Sequence, residues 1–319
     1  MYNEELKGKF IKGYTTQITT RQKIKSVFDT TEPFEAACDT DLCAMSEELV
    51  KPVLDSLSAM RDKTLSNKIY TIHEYVKWCI KSGVPGACDA ALRVTPDTAS
   101  AMRKQTVRNP LHMQRFLDAI CDAEGLETAD NIIRCFCWLA YSGMPEADIL
   151  KVKALDVDMR KMKINFNGTE YPIYRESMEC LNNCMELTSF RFIHPNYTES
   201  DGIYRERVEG DTLVRGIRSA PSLASIRSKI ANKNKDAIDA GKTDVRLSYY
   251  RIWISGLFYR AYELELAGIK PDFSDTASSF MAGKTYKLDS GRNTIDAKRR
   301  KIASDYYKDY LRWKETLSV

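Results

Sequence analysis

Histidine is the scarcest chemistry-bearing residue of the chain: His73, His112 and His194 are the 3 in 319 residues. They are far apart, and none lies beyond position 194. A mechanism that needs an imidazole as general acid or base in the last third is therefore excluded. No apolar run approaches the roughly 20 residues of a membrane span, so no membrane partner is expected. The opening residues, Met1 to Phe10, are charged rather than an apolar h-region, so no secretory signal is expected and the cytoplasm is the expected location. No glycine-rich loop follows a strand pattern, which leaves no cradle for nucleotide phosphates. There is no Cys-x-x-Cys pair; Cys135-x-Cys137 and Cys180-x-x-x-Cys184 sit among apolar residues on helical segments, where thiols are core rather than zinc ligands. No cofactor and no metal are expected.

The chain is otherwise that of an ordinary folded protein, with 43% apolar and 29% charged residues, and its length suggests about two domains. Disorder and collagen-like repeats are excluded by that composition. The nine Cys fall mostly in apolar periodic segments (Cys79, Cys121, Cys135, Cys137), which reads as buried free thiols.

The formal net charge of +4 conceals an uneven distribution. Residues 1–104 carry 15 Lys and Arg against 14 Asp and Glu, residues 105–210 carry 12 against 17, and residues 211–319 carry 21 against 13. Differences of +1, −5 and +8 concentrate the basic excess in the last third, as a nucleic-acid surface requires. A solvated basic face with no partner is the competing reading.

The first third reads as helical. Glu47 to Met60 sets Leu49, Val50, Val53, Leu54, Leu57 and Met60 on one stripe, and a second helix is expected from Ser66, as N-cap, to Ser82, closed by Gly83 and Pro85. Residues 86–109 read as a connector with one helical turn. Helices are then expected over Leu111–Glu124 and Ala129–Tyr141, the second a central core helix, followed by Glu146–Leu155. Lys163–Phe166 and Glu170–Tyr174 flank Asn167-Gly168, a strong hairpin signal. Further helices are expected over Ser177–Leu187, 222–240, 248–266, 275–281 and 294–316, with 188–214 as loop. The expected class is mainly α (α+β), with a small sheet and two domains, 1–104 and 105–319.

The order of a helical domain, a connector, a helix, Tyr141-Ser-Gly-Met-Pro-Glu-Ala-Asp-Ile-Leu150, Leu155-Asp-Val-Asp158 and a hairpin resembles the tyrosine recombinase (phage integrase) family. Tyr70, Tyr75 and Lys77-Trp78 on the expected helix from Ser66 look like that family's core-binding domain. Leu247-Ser-Tyr-Tyr-Arg251, Gly268, Met281-Ala-Gly-Lys284 and the Tyr306-Tyr307 helix follow in the family's order. The resemblance implies a helical core-binding domain joined to a catalytic-type domain with a small β-sheet.

It also implies a site made of two Arg and a Lys around the phosphate, assisting His or Trp residues, and a nucleophilic Tyr. Removing one such donor typically costs about 10²–10³ in rate. In this sequence the first Arg position is Pro145, the hairpin Lys position falls near Asn167, and the His of His-x-x-Arg is Ser248. The second Arg survives as Arg251, the later His position is Lys284, and the nucleophile position is Tyr306, Tyr307 or Tyr310. A packing role for these tyrosines is the competing reading. The broken constellation is similar to that of SPbeta-type phage master repressors of the lytic cycle, which implies binding of double-stranded DNA and repression without strand transfer. The alternative is a divergent but active recombinase.

On that reading the two domains would clamp a duplex. Phosphate contacts would come from Arg215, Arg218, Arg227, Lys229, Lys233, Lys235, Arg251 and Lys284. Arg251 in a surface ion pair is the plainer possibility. The run Lys298–Lys301 is a solvated face or part of a dimer arm, and the last helix could make a homo-oligomer contact.

Overall fold

The computed structural model describes residues 1–59, 61–121, 128–192, 203–216, 219–281 and 294–318. Their contacts divide the chain into two compact units, residues 1–104 together with 308–319, and residues 105–307. The chain is mostly helical with a small antiparallel sheet.

In the first unit, α1 (Glu4–Tyr14) and α2 (Ile18–Cys38) lead through a 3-10 turn to α3 (Glu47–Ser56), α4 (Asp62–Lys81), α5 (Ala90–Arg93) and α6 (Thr98–Arg103). The Ser46 hydroxyl accepts from the Leu49 N–H and so starts α3. Val50, Val53, Leu54 and Leu57 are fully buried, as their spacing predicts, but Leu49 is largely exposed, and Met60 lies outside the described residues. The expected N-cap at Ser66 is corrected: α4 begins a turn earlier, because Leu65 packs into the core and extends the apolar stripe of Ile72, Tyr75, Val76 and Cys79. Gly83, at φ +66, supplies the left-handed residue that ends it.

The second unit holds α7 (Pro110–Ile120), α8 (Asp130–Tyr141) and α9 (Glu146–Ile149), then β1 (Val157–Asp158), β2 (Lys163–Phe166) and β3 (Thr169–Pro172). It continues with α10 (Met178–Glu186), β4 (Ser189–Phe192), β5 (Ile203–Glu206), α11 (Leu223–Asp239), α12 (Tyr249–Leu266) and α13 (Ser274–Met281). The last helix, α14 (Ile295–Glu315), starts in the second unit and ends in the first. Asn167 (φ +50) and Gly168 (φ +76) form the two left-handed corner positions of the β2–β3 turn, the conformation an Asn-Gly hairpin favours. β1 adds a third antiparallel strand. The expected loop over 188–214 is corrected in part: β4 pairs antiparallel with β5, burying Phe190.

Helix α8 is the axis of this unit, with every residue from Asn131 to Tyr141 buried. It packs against α12 so closely that a Cβ placed on Gly256 would lie 1.8 Å from the Tyr141 carbonyl oxygen. Cys79, Cys121, Cys135 and Cys137 are buried free thiols. Asn131 Nδ2 donates to Cys184 Sγ at 3.2 Å, which fixes the α8–α10 contact with thiols in core positions.

Candidate nucleic-acid interface

The segment that follows α8 is held from one direction. Three side chains of α12 donate to its backbone: Arg260 Nη1 to the Tyr141 carbonyl at 2.5 Å, Trp253 Nε1 to that of Gly143 at 2.9 Å, and Tyr249 Oη to that of Met144 at 2.9 Å. Gly143 is at φ +101, and a Cβ there would fall 2.5 Å from the Arg260 guanidinium. The turn thus presents carbonyls inward to α12 and delivers Pro145, which has neither charge nor N–H, to the start of α9.

Immediately after Pro145, Glu146 meets Arg227 of α11. The Arg227 Nε donates to Oε1 at 2.6 Å and Nη2 donates to Oε2, a two-pronged pair. Glu146 is the inner partner, with 14% of its side chain exposed against 58% for Arg227. The pair forms one wall of a cavity of about 380 Å³, which Ile230, Ala231, Leu247, Ser248, Tyr249 and Tyr250 complete. Burial, and then the Glu146 charge, push the Tyr249 hydroxyl above its ordinary range.

Arg251, on the first turn of α12, is half-buried and donates to the Arg246 carbonyl at 2.7 Å. Burial first, then the Arg246 charge, pull its pKa below the usual guanidinium value. Among the described residues no carboxylate pairs with it. Near it, Val107 N–H donates to Ser255 Oγ, which donates to the Arg251 carbonyl. That bond ties Val107, three residues before α7, to the second turn of α12, and Arg108, His112 and Arg115 follow it in the chain. His112 is lowered by burial, then by Arg108 and Arg115. Sequence reasoning missed Arg108, Arg115 and Arg246; the only signal available was that each is an arginine within a few residues of a helix start.

The other expected phosphate contacts are placed as follows. Lys233 pairs with Asp130 at 2.8 Å and Lys235 with Asp239 at 2.5 Å. Arg215 donates to the Gly210 carbonyl at 2.8 Å. Lys229 is exposed on α11 and borders a second cavity with Arg205. Arg218 and Lys284 lie outside the described residues, as does His194. Asn167 is exposed at the hairpin turn, and the neighbouring Lys163 pairs with Glu170 at 2.5 Å. Ser248 is the exposed N-cap of α12, with no capping bond from its hydroxyl.

Of the candidate nucleophiles, Tyr306 is fully buried, its hydroxyl 3.4 Å from that of Tyr250 and its ring stacked on Phe273 at 6.3 Å. Tyr307 is half-buried against Phe273. Tyr310 is fully buried in the first unit and stacks on Trp313. The structure therefore brings Ser248 and Arg251 together on one turn, with Tyr306 reaching that helix through Tyr250. Among the described residues no three His, Cys, Asp or Glu side chains could hold a metal ion, and no helix is long and apolar enough to cross a membrane.

Residues 1–81 match the family model described as the N-terminal core-binding domain of MrpR. Among solved structures, the chain is similar to XerA recombinase at 13% identity and a TM-score of 0.31, over 95% of this chain and 98% of that one. It is also similar to the Tn1549 transposon integrase (residues 82–397) in complex with circular intermediate DNA, at 12% identity and a TM-score of 0.35, over 93% of this chain and 98% of that one. Comparison with curated proteins gives no match.

Proposed function

We propose that the chain binds double-stranded DNA as a regulator, a phage-type repressor, and performs no strand transfer. The observation that carries this is the environment of Arg251. Arg251 is half-buried, donates to the Arg246 backbone carbonyl and feels the Arg246 charge, and among the described residues no carboxylate pairs with it. Adjacent like charges repel, and an external anion relieves that repulsion. A phosphate diester is the anion whose geometry an arginine fork fits. The MrpR core-binding match over residues 1–81 supports a polynucleotide as the source of that phosphate.

The absence of chemistry in this reading rests on the turn after α8. Transition-state stabilisation needs cations aimed where charge develops. Here the turn carries Pro145 and is bonded to α12 through its own carbonyls, while Tyr306 and Tyr310 are enclosed. Self-association through α14 belongs to the same proposal and is read by light scattering on the free and DNA-bound protein.

The test is a mobility or anisotropy titration against a duplex over a salt series. Wild-type affinity is expected to fall steeply as salt rises, and Arg251→Ala is expected to weaken binding and flatten the slope of log K against log salt by about 0.9, one phosphate contact. Affinity unchanged in Arg251→Ala removes the Arg251 site. A nicked suicide duplex is expected to give no covalent adduct; an adduct lost in Tyr306→Phe or Tyr307→Phe restores the recombinase reading.

A further inference from the structure

The Arg227–Glu146 pair has the geometry of an arginine–phosphate contact in which the anion is already supplied by the protein. Both prongs of the guanidinium are taken, Nε and Nη2, one by each carboxylate oxygen. Bidentate recognition of this kind is what makes arginine a phosphate ligand. The anion is placed on the inside and the cation on the rim, where Arg227 remains mostly exposed. The partners are 81 residues apart, on α9 and α11, so the contact is a product of the fold and not of a helix repeat. The cavity beside the pair is also lined by the exposed Ser248 and by Tyr250.

We propose that Glu146 is an internal phosphate mimic: it occupies the Arg227 fork and holds the basic face of the second unit below its full affinity for polyanions. This deepens the DNA-binding reading and rests on it. A phosphate reaching the cavity must displace the carboxylate from Arg227 and then lie beside a negative charge that Arg227 no longer neutralises. The Arg227 side of the pair is largely exposed, which gives an incoming phosphate access to the guanidinium. The device therefore sets affinity and salt dependence, and it favours ligands that bring several phosphates at once over a single free anion.

The experiment removes the carboxylate charge while keeping its shape. Glu146→Gln is measured with a duplex over a salt series and, independently, by the salt needed to elute it from immobilised heparin. The expected result is tighter duplex binding, on the order of fivefold at low salt. The salt slope should steepen by about 0.9, the signature of one additional phosphate contact. Elution from heparin should move to higher salt. Glu179→Gln, on the exposed side of α10, makes the same change in net charge away from Arg227 and is expected to move neither readout appreciably. Arg227→Ala introduced into Glu146→Gln should cancel the gain. Duplex affinity and heparin elution both unchanged in Glu146→Gln, or shifted equally by Glu179→Gln, overturn the proposal. A heparin shift with no duplex binding by either protein keeps the mimic and removes DNA as its ligand.

Discussion

Each unit of the chain contains an arginine or lysine pinched by a glutamate, and the two pairs are built for opposite purposes. In the first unit Lys7 and Glu35 have no exposed side-chain surface at all. Lys7 Nζ lies 2.5 Å from both carboxylate oxygens, Thr31 Oγ1 and the Leu42 N–H donate to the same carboxylate, and the ammonium sits 5.1 Å from the centre of the Phe28 ring. Every lone pair has a partner, which is the condition under which a buried pair is tolerated. In the second unit the Arg227–Glu146 pair lines an open cavity, with most of the Arg227 side chain exposed. One pair is structural and sealed; the other is exchangeable.

The sharpest way to test that contrast is to break the sealed pair. Lys7→Met leaves Glu35 charged and enclosed, and removing one partner of a buried pair costs about 3–5 kcal/mol. Hydrogen exchange should show the loss within residues 1–104, with residues 105–307 protected as before. Adding Glu35→Leu should recover only part of it, because the Leu42 N–H and the Thr31 hydroxyl then lose their acceptor. A stable Lys7→Met protein would mean the pair is not sealed.

The second largest effect belongs to the second unit and is steric. Gly256→Ala puts a methyl 1.8 Å from the Tyr141 oxygen, a backbone atom at the end of α8 that cannot swing away as a side chain would. The helices must separate, at a cost of about 1–3 kcal/mol or more. The three bonds from α12 to the Tyr141–Met144 carbonyls should loosen with it, so exchange protection should fall at α8 and α12 while the first unit keeps its own. Unchanged protection there would show that the turn is held by its own conformation and not by α12.

These contrasts also show what sequence pattern reaches. The β2–β3 turn was legible because Asn167-Gly168 is a local conformational code, and α11 was legible because Ser222 caps a periodic segment. The β4–β5 pair was not, since each strand has only four residues and ten residues separate them, far more than the short loop that marks a hairpin in sequence. At the site, Pro145 stands where the resemblance implies a first Arg, and that reading needs one position of the sequence alone. The carboxylate that takes up Arg227 does not, because its partner is 81 residues away and only the fold joins them. The same holds for Lys233 with Asp130, which sequence reading had offered to phosphate.

The smallest effect compares the two described histidines, one in each unit. Burial lowers both; Lys77 adds to it at His73, where a bond with the Ala91 backbone opposes, whereas at His112 two guanidiniums, Arg108 and Arg115, add to the lowering and Asp244 opposes it. The His112 Nδ1 accepts the Arg108 backbone N–H at 3.3 Å, so the neutral ring carries its proton on Nε2. A folded-state value below the unfolded one means that the stability His112 contributes is complete above about pH 6.5 and is lost as pH falls through the lowered value. If phosphates neutralise Arg108 and Arg115, one cause of the lowering disappears at His112 and none does at His73. Side-chain NMR titration with and without a duplex should therefore move His112 upward and leave His73 where it was. Equal movement of the two, or none at His112, would place the start of α7 outside the interface and confine DNA contact to Arg246, Arg251 and the Arg227 rim.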